Sequence, residues 1–315
     1  MIFVDNQGHT DPCINLAIEE HLFRNHKTDE DIVLFYINEP SIIVGRNQNT
    51  LEEINTDFVE RNGIHVVRRI SGGGTVFHDL GNLNFSFINA AGTENLLNFE
   101  KFTAPVIKAL HALGVAAQLG SRFDILVSGR KISGNAQYSA GGRLLSHGTL
   151  LFQSDLSWVN AALNAPAEQI ESKSIKSVRS QVANISAFLK QPMDINAFRE
   201  YLKTSILADN NHTTYTLSKQ DWASIEQLAD SQYRQWAWNY GRSPKFQVQK
   251  TIDLAGEQHQ LVITIVNGLI EELSSASAAL ALQPLRSMLL GRRYTKAELR
   301  NACEQTISKD RENLL

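Results

Sequence analysis

Three consecutive glycines, Gly72–Gly74, lie between two apolar stretches, and this feature restricts the fold more than any other. Glycine loses more backbone entropy on folding than other residues, so such a run indicates close approach of the backbone to another group. Arg68 and Arg69 precede the run, and His78 and Asp79 follow it. Glycine-rich turns aim amide N–H groups at anions, and arginine offers permanently charged donors. We therefore predict a strand–turn–strand unit that binds an anion, with a flexible hairpin and solvated arginines as the alternative.

The glycine run is not one of the standard nucleotide-binding motifs. Phe77 stands where a dinucleotide fingerprint requires its third glycine. Gly129 and Gly134 have the spacing of the outer P-loop glycines, but Asn135 replaces the required lysine. The sequence also contains neither a Gly-x-Ser-x-Gly nucleophile elbow nor a His-Glu-x-x-His zinc motif.

Composition excludes several classes of protein. The formal net charge is −3, whereas nucleic-acid binding requires a strong positive footprint, so we expect no nucleic-acid partner. The longest apolar run, Ile32–Ile37, is six residues, too short for a membrane span. The two cysteines, Cys13 and Cys303, exclude a disulfide framework. The first residues do not resemble a secretory signal, and we expect a cytoplasmic protein.

The hydrophobic periodicity mixes helices and strands along the first 240 residues. A helix is predicted to begin at Asp11-Pro12, because proline fits the first helical turn. Further helices are predicted over residues 98–114, 155–163, 194–208 and 218–239. Strands are predicted over Ile32–Ile37, Ile42–Val44, Ile64–Arg69, Thr75–His78, Leu83–Ile88, Phe123–Val127, Lys131–Ile132 and Leu144–Phe152. This pattern predicts an α+β fold with a mixed or mainly antiparallel sheet.

The pattern changes near Gly241–Pro244, a linker or turn signal. Strands are predicted after it over Phe246–Leu254 and Leu261–Val266, and Asn267-Gly268 is a strong hairpin signal. Two helices, near 278–290 and 296–307, are predicted to end the chain. At roughly 150 residues per domain, a chain of 315 residues has two domains. We therefore predict a large domain over 1–243 and a small α+β domain over 244–315.

Three other residues are candidates for chemistry. Lys131 follows a predicted turn and precedes Gly134, so it could supply a compact positive charge to a carboxylate or phosphate, although a lysine at a turn is usually solvated. His147 precedes Gly148 in an apolar strand, where a core histidine is the commoner case. Asp124 begins a strand and is either a turn residue or a ligand of Mg²⁺, which prefers one or two carboxylates plus phosphate oxygens.

Taken together, these motifs resemble the lipoate–protein ligases of the lipoate and biotin ligase superfamily. The resemblance rests on RRISGGGTVFHD (68–79), GRKISGNAQ (129–137) and HGTLL (147–151), in that order. It extends to NLAIEE (15–20), VGRNQN (44–49), LGNLNF (80–85), SVRSQVAN (177–184) and WNYG (238–241) followed by Pro244. It therefore covers nearly the whole chain, and it implies a large catalytic domain with a small accessory domain.

The resemblance implies two half-reactions. Lipoic acid and Mg-ATP first give lipoyl-AMP and pyrophosphate. The lipoyl group then passes to a lysine ε-amine, either on the lipoyl domain of a 2-oxoacid dehydrogenase E2 subunit or on glycine-cleavage H protein. Lys131 would be the catalytic residue and contact both substrates, Asp124 would hold Mg²⁺, and the enzyme would be a monomer. The residues implied for ATP are Arg69, Gly74, Thr75, Val76, Phe77 and Lys131. Those implied for lipoate are Lys131, Gly72, Gly73, Asn84, His147 and Gly148.

Two positions depart from the family pattern, and three other functions stay open. The family has Gly-Arg-Asn-Asp where this chain has Ser121-Arg122-Phe123-Asp124, and Gln181 replaces a common arginine. An ATP-independent octanoyl or lipoyl transferase would need a cysteine nucleophile, and residues 131–151 contain none. A non-catalytic lipoate-binding module is the second alternative, and biotin ligation on the same scaffold is the third.

Overall fold

The computed structural model describes residues 1–91, 98–165, 169–208, 211–254, 257–275 and 283–312. The helices are α1 (Pro12–Asn25), α2 (Thr50–Glu53), α3 (Thr56–Arg61), α4 (Phe99–Ala112), α5 (Leu156–Leu163), α6 (Ile195–Ala208), α7 (Lys219–Leu228), α8 (Gln283–Leu289) and α9 (Lys296–Glu312). The first strands are β1 (Ile2–Asp5), β2 (Ile32–Ile37), β3 (Ser41–Val44), β4 (His65–Arg68), β5 (Val76–His78), β6 (Asn82–Ala90), β7 (Ala117–Leu119) and β8 (Ile125–Val127). The others are β9 (Arg130–Ser133), β10 (Asn135–Ala140), β11 (Arg143–Leu151), β12 (Gln169–Ser172), β13 (Thr213–Tyr215), β14 (Phe246–Leu254), β15 (Glu257–Val266) and β16 (Leu269–Ser275).

A mixed six-stranded sheet with the order β10-β11-β6-β2-β1-β13 forms the centre of the molecule. Successive side chains of a strand point to opposite faces, and both faces of β2 are covered. Val33 and Phe35 pack with α4 and α6, whereas Leu34 and Tyr36 pack with α1 and α7. Burial on both sides explains why Ile32–Ile37 is a continuous apolar run instead of an alternating one.

The glycine run connects two strands of a smaller sheet with the order β4-β3-β5. Strand β3 is parallel to β4 and antiparallel to β5, so the chain must cross from one side of β3 to the other. Gly73 makes part of this crossing in the left-handed region, with φ of 85°, where a residue with a Cβ is disfavoured. The second small sheet, with the order β7-β8-β9, holds the turn before Lys131.

The C-terminal part of the chain forms a four-stranded antiparallel sheet with the order β12-β14-β15-β16, covered by α8 and α9. Asn267 and Gly268 connect β15 to β16 with positive φ values of 52° and 73°, and the predicted hairpin is confirmed. Strand β12, which precedes residue 243 in sequence, is the edge strand of this sheet. The division into 1–243 and 244–315 stays a prediction.

Most predicted elements are confirmed, with bounds that differ by a few residues. Helix α1 begins after Asp11, whose side chain accepts a hydrogen bond from the Cys13 amide, and Ser218 forms a capping box with Asp221. The α+β fold with a mixed sheet is likewise confirmed. Part of the helix predicted near 278–290 lies outside the described residues. Among the described helices, none combines the length and apolar character that crossing a bilayer requires.

Two kinds of local prediction are wrong. The single helix predicted over 218–239 ends as an α-helix at Leu228 and continues as two π-helical segments, Ala229–Tyr233 and Ala237–Gly241. In the second of these segments, a side chain from a distant strand binds the carbonyl groups: Arg68 of β4 donates to the oxygens of Trp238 and Asn239. The strands β1, β7, β10, β12 and β13 and the short helices α2 and α3 were not predicted from the sequence.

Candidate active site

Two adjoining cavities lie beside the glycine turn. The first cavity has a volume of about 240 Å³, and the second has about 350 Å³. They share a wall formed by Thr75, Val76, Lys131, Thr149, Lys176, Ser177, Val178 and Ser180. The first cavity continues past this wall to Leu16, Tyr36, Ile43 and His78, whereas the second is bordered by Val159, Asn160 and Leu163. Two elongated ligands could therefore meet end to end at the shared wall.

Arg69 shapes the glycine turn and lines the first cavity. Its guanidinium donates to the carbonyl groups of Ile43, Gly72 and Gly74, and its Nε donates to Ser71 Oγ at 2.9 Å. Burial lowers the pKa of Arg69 to about 10, which still leaves the side chain charged at neutral pH. Arg69 therefore brings a fixed positive charge to the turn.

Arg68 does not belong to the cavities, although the sequence placed both arginines at a ligand site. Its side chain is fully buried and donates to backbone oxygens of Gly45, Gln48 and Asn239, among others. It also donates to the hydroxyl of Ser243, at 3.2 Å. Because Arg68 is occupied by these acceptors, its role is structural.

Lys131 and Asp124 form an ion pair at the edge of the first cavity, with 2.9 Å between Lys131 Nζ and Asp124 Oδ1. The backbone fixes the position of Lys131, since its N–H donates to Gln181 and its carbonyl accepts from Ala183. A Cβ at Gly134 would lie 3.0 Å from Lys131 Nζ, so glycine keeps room for the ammonium group. The lysine therefore faces both cavities in a fixed position.

His147 is part of a buried hydrogen-bonded network under the glycine turn. Its Nδ1 lies 2.9 Å from both carboxylate oxygens of Glu19, and its Nε2 lies 2.6 Å from Ser71 Oγ. Ser86 donates a further hydrogen bond to Glu19. The sequence analysis did not name Glu19 or Ser71 as site residues. A carboxylate on an otherwise apolar helix face was the available signal for Glu19, because a buried charge requires partners.

Phe123, which replaces the asparagine of the family pattern, adopts a left-handed conformation with φ of 63°. Its ring stacks on Phe99, with 4.3 Å between ring centroids, and its carbonyl accepts from Asn135 Nδ2 at 2.6 Å. Asparagine tolerates this conformation better than phenylalanine does. Asp124 nevertheless lines the first cavity directly after it. Gln181, the other departure, has an exposed side chain.

The structure brings the predicted site residues together around the two cavities, with Gly72 as the exception. Those that line the first cavity are Arg69, Gly73, Gly74, Thr75, Val76, Asn84, Asp124, Lys131, His147 and Gly148. Phe77 lines the second cavity. Gly148 must be glycine, because a Cβ there would overlap Asn135 Oδ1 and lie 2.6 Å from the Phe85 ring.

The described part of the chain contains no group of three or more His, Cys, Asp and Glu side chains that could hold a metal ion. Asp124 fits Mg²⁺ bound to a nucleotide, since that ion uses one or two carboxylates together with phosphate oxygens. The described residues around the two cavities include no cysteine. Burial raises the pKa of the Cys13 thiol to about 12, which opposes thiolate chemistry there.

Comparison with known proteins agrees with this geometry. A model of the lipoyl protein ligase A/B catalytic domain matches residues 11–207. Lipoate-protein ligase LplJ of Bacillus subtilis is 47% identical over 310 residues, covering 96% of this chain and 94% of the relative. The crystal structure of a lipoate-protein ligase A bound with ATP has a TM-score of 0.65 at 27% identity, covering 76% of this chain and 96% of that one. A bi-partite lipoate protein ligase from Thermoplasma acidophilum, described with its E2 lipoyl domain, has a TM-score of 0.66 at 26% identity, covering 76% and 96%. The chain therefore belongs to the lipoate–protein ligase family.

Proposed function

We propose that this protein is an ATP-dependent lipoate–protein ligase. The lipoate carboxylate attacks the α-phosphorus of ATP, forming lipoyl-AMP and releasing pyrophosphate. A lysine ε-amine of a carrier protein then attacks the acyl carbon, forming an amide and releasing AMP. The pair of adjoining cavities that share Lys131 carries this proposal, because the reaction needs an acyl chain and a nucleotide to meet at one fixed positive charge.

We assign lipoate to the first cavity and ATP to the second. The tail of lipoate would lie against the apolar side chains of Leu16, Tyr36 and Ile43. Gly73, Asn84, His147 and Gly148 would complete its site, with Gly72 next to them in the glycine turn. Thr75, Val76 and Phe77 line the second cavity and would contact ATP there, and Arg69 and Gly74, which line the first cavity, would contact its phosphates where these reach the shared wall. This assignment places the carboxylate at the shared wall, beside the α-phosphate.

Lys131 is the residue we propose as catalytic. Two anions must approach each other during adenylation, and a preorganised cation at the developing charge is often the largest catalytic contribution. Asp124 holds the ammonium group in place through the 2.9 Å ion pair. The same carboxylate would hold Mg²⁺, which neutralises phosphate charge when it is bound with ATP.

We further propose lipoyl domains of E2 subunits and glycine-cleavage H protein as the carriers, in line with the E2 lipoyl domain described with the Thermoplasma relative. The protein would act as a monomer in the cytoplasm. A transferase that works through an acyl-cysteine is disfavoured, because no cysteine lies among the described residues of the cavities.

Lipoate-dependent exchange of labelled pyrophosphate into ATP, without a carrier protein, tests the proposal. We expect exchange by the native protein, and a loss of about a hundredfold or more in Lys131→Ala, since removal of a preorganised charge costs about 10² or more in rate. The exposed Lys27→Ala is the matched control and should exchange normally. Absence of exchange by the native protein would refute the proposed function, and normal exchange by Lys131→Ala would refute the role of Lys131.

A further inference from the structure

A chain of buried amides leads from α1 to the wall of the first cavity. Asn15 Nδ2 donates to the backbone oxygens of His9 and Ile37, at 2.9 and 3.2 Å. The same nitrogen lies 2.8 Å from Asn38 Oδ1, and Asn38 Nδ2 lies 2.9 Å from His78 Nδ1. Asn15, Asn38 and His78 are all at most 3% exposed. This series of hydrogen bonds therefore links backbone carbonyl groups to the imidazole ring of His78 through buried side chains.

This series of hydrogen bonds determines which ring nitrogen of His78 carries the proton. A carbonyl oxygen only accepts hydrogen bonds, so the two backbone oxygens identify the amide nitrogen of Asn15. The two N–H groups of Asn15 are shared among three oxygens, of which Asn38 Oδ1 is the nearest at 2.8 Å. Asn38 therefore accepts with Oδ1, which leaves its Nδ2 to donate to His78 Nδ1. Burial, together with the nearby Arg69 charge, lowers the pKa of His78 to about 3. The neutral ring must therefore carry its single proton on Nε2.

The Nε2–H of His78 has no hydrogen-bond acceptor among the residues that the structure describes. His78 lines the part of the first cavity that lies away from the second cavity, together with Leu16, Tyr36 and Ile43. A buried donor without an acceptor is unfavourable and requires an explanation, and a ligand atom is one. Under the assignment of lipoate to the first cavity, this acceptor belongs to the end of lipoate opposite the reacting carboxylate.

We propose that His78 is a specificity-determining residue whose Nε2–H donates to a sulfur of the dithiolane ring of lipoate. This inference rests on the proposed function. Divalent sulfur, such as that of the dithiolane disulfide, is a weak acceptor, whereas the methyl end of octanoate accepts no hydrogen bond. The donor therefore favours lipoate over a straight-chain acid of equal carbon number. The two amides, Asn15 and Asn38, act as positioning residues, because they hold the proton on Nε2 of His78.

The selectivity of adenylation tests this role. We compare kcat/KM for lipoate and octanoate in pyrophosphate exchange, using the native protein, His78→Leu and His78→Gln. His78→Leu should lower the lipoate-to-octanoate ratio about threefold to tenfold, the range of one net hydrogen bond. His78→Gln retains an N–H donor and should restore part of the preference. His65→Leu makes the same substitution at an exposed histidine outside both cavities, and its ratio should match that of the native protein. An unchanged ratio in His78→Leu would overturn the proposal.

Nitrogen-15 NMR of the histidine rings gives a readout that does not depend on activity. The native protein should show a protonated Nε2 and an unprotonated Nδ1 for His78. Asn38→Asp supplies an acceptor in place of the amide donor, so it should move a proton to Nδ1 and lower the lipoate-to-octanoate ratio. A native Nδ1–H form would overturn the inference even if exchange occurs. A native Nε2–H form without any exchange would instead count against the proposed function alone.

Discussion

Phe123 combines an unfavourable backbone conformation with a favourable ring contact. A non-glycine residue in the left-handed region costs about 1–2 kcal/mol, and an aromatic pair contributes about 0.5–1.5 kcal/mol. Because these contributions nearly cancel, we expect Phe123→Asn to change the free energy of unfolding by less than about 1 kcal/mol. Phe123→Val loses the stack on Phe99 and adds β-branching at positive φ, so it should lose about 2 kcal/mol. Urea unfolding of both variants measures the difference, and equal stabilities would contradict this account.

His78 should also make the protein sensitive to acid. Its pKa is about 3 in the native protein, against 6.5 for an ordinary histidine. Between these values the unfolded chain binds a proton that the native ring does not, so the free energy of unfolding falls as the pH decreases, by up to about 1.4 kcal/mol per pH unit. Urea unfolding between pH 7 and pH 4 should give a shallower pH dependence for His78→Gln than for the native protein. Parallel curves would show that His78 does not contribute.

The sequence could predict the residues that stand in recognisable motifs, and the structure places these residues, apart from Gly72, around two cavities. The sequence could not predict the hydrogen-bonded network of Glu19, Ser71 and His147. Glu19 and His147 are 128 residues apart, and only the completed sheet brings them within hydrogen-bond distance. The different roles of Arg68 and Arg69 were equally hidden, because they depend on the distant residues that each guanidinium contacts, Asn239 and Ser243 for Arg68 and Ile43 for Arg69.

At the scale of elements, Arg68 joins β4 to the π-helical segment Ala237–Gly241. Seven hydrogen bonds reach from its guanidinium to carbonyl and hydroxyl oxygens, and all seven are lost if the side chain is removed. An unsatisfied buried polar group costs about 1–3 kcal/mol, so Arg68→Met should lose about 3 kcal/mol or more. Arg68→Lys should also be destabilised, because lysine lacks the planar fork of donors.

The exposed Arg61→Met is the control for this prediction and should change the free energy of unfolding by less than about 0.5 kcal/mol. Chemical denaturation followed by circular dichroism measures the three variants. A stability of Arg68→Lys equal to that of the native protein would show that charge alone, without the fork geometry, fixes the junction.

Elements with their own local signals were predictable from the sequence, and those without such signals were not. Asp11 and Ser218 mark helix starts by capping, and Asn267-Gly268 marks a hairpin by its turn conformation. Strand β13 has only three residues and exists because it pairs with β1, about 210 residues earlier. No local pattern encodes such a pairing. The π-helical segment Ala237–Gly241 has the same difficulty, because the donor to two of its carbonyl groups, Arg68, comes from β4.

At the scale of the whole molecule, the two predicted parts of the chain are connected by more than a linker. Strand β12, from the first part, pairs with β14, from the second. The ion pair between Lys296 and Asp57 spans 2.7 Å but is exposed, so it adds little stability. Packing of Trp236 against the β15–β16 turn, with Arg293 4.5 Å from the centre of its ring, is the more substantial contact.

Gly268 and Gly291 offer a matched test of that packing, because both have positive φ, 73° and 76°. A Cβ at Gly291 would meet no atom within 4 Å, whereas one at Gly268 would overlap the Trp236 ring. Gly291→Ala should therefore lose only the backbone strain, about 1–2 kcal/mol. Gly268→Ala adds about 1–3 kcal/mol of overpacking and should push the C-terminal sheet away from Trp236. Urea unfolding gives the two losses, and limited proteolysis of Gly268→Ala should cleave near residue 243 faster than in Gly291→Ala. Equal losses and equal cleavage rates would show that the turn does not hold the two parts together.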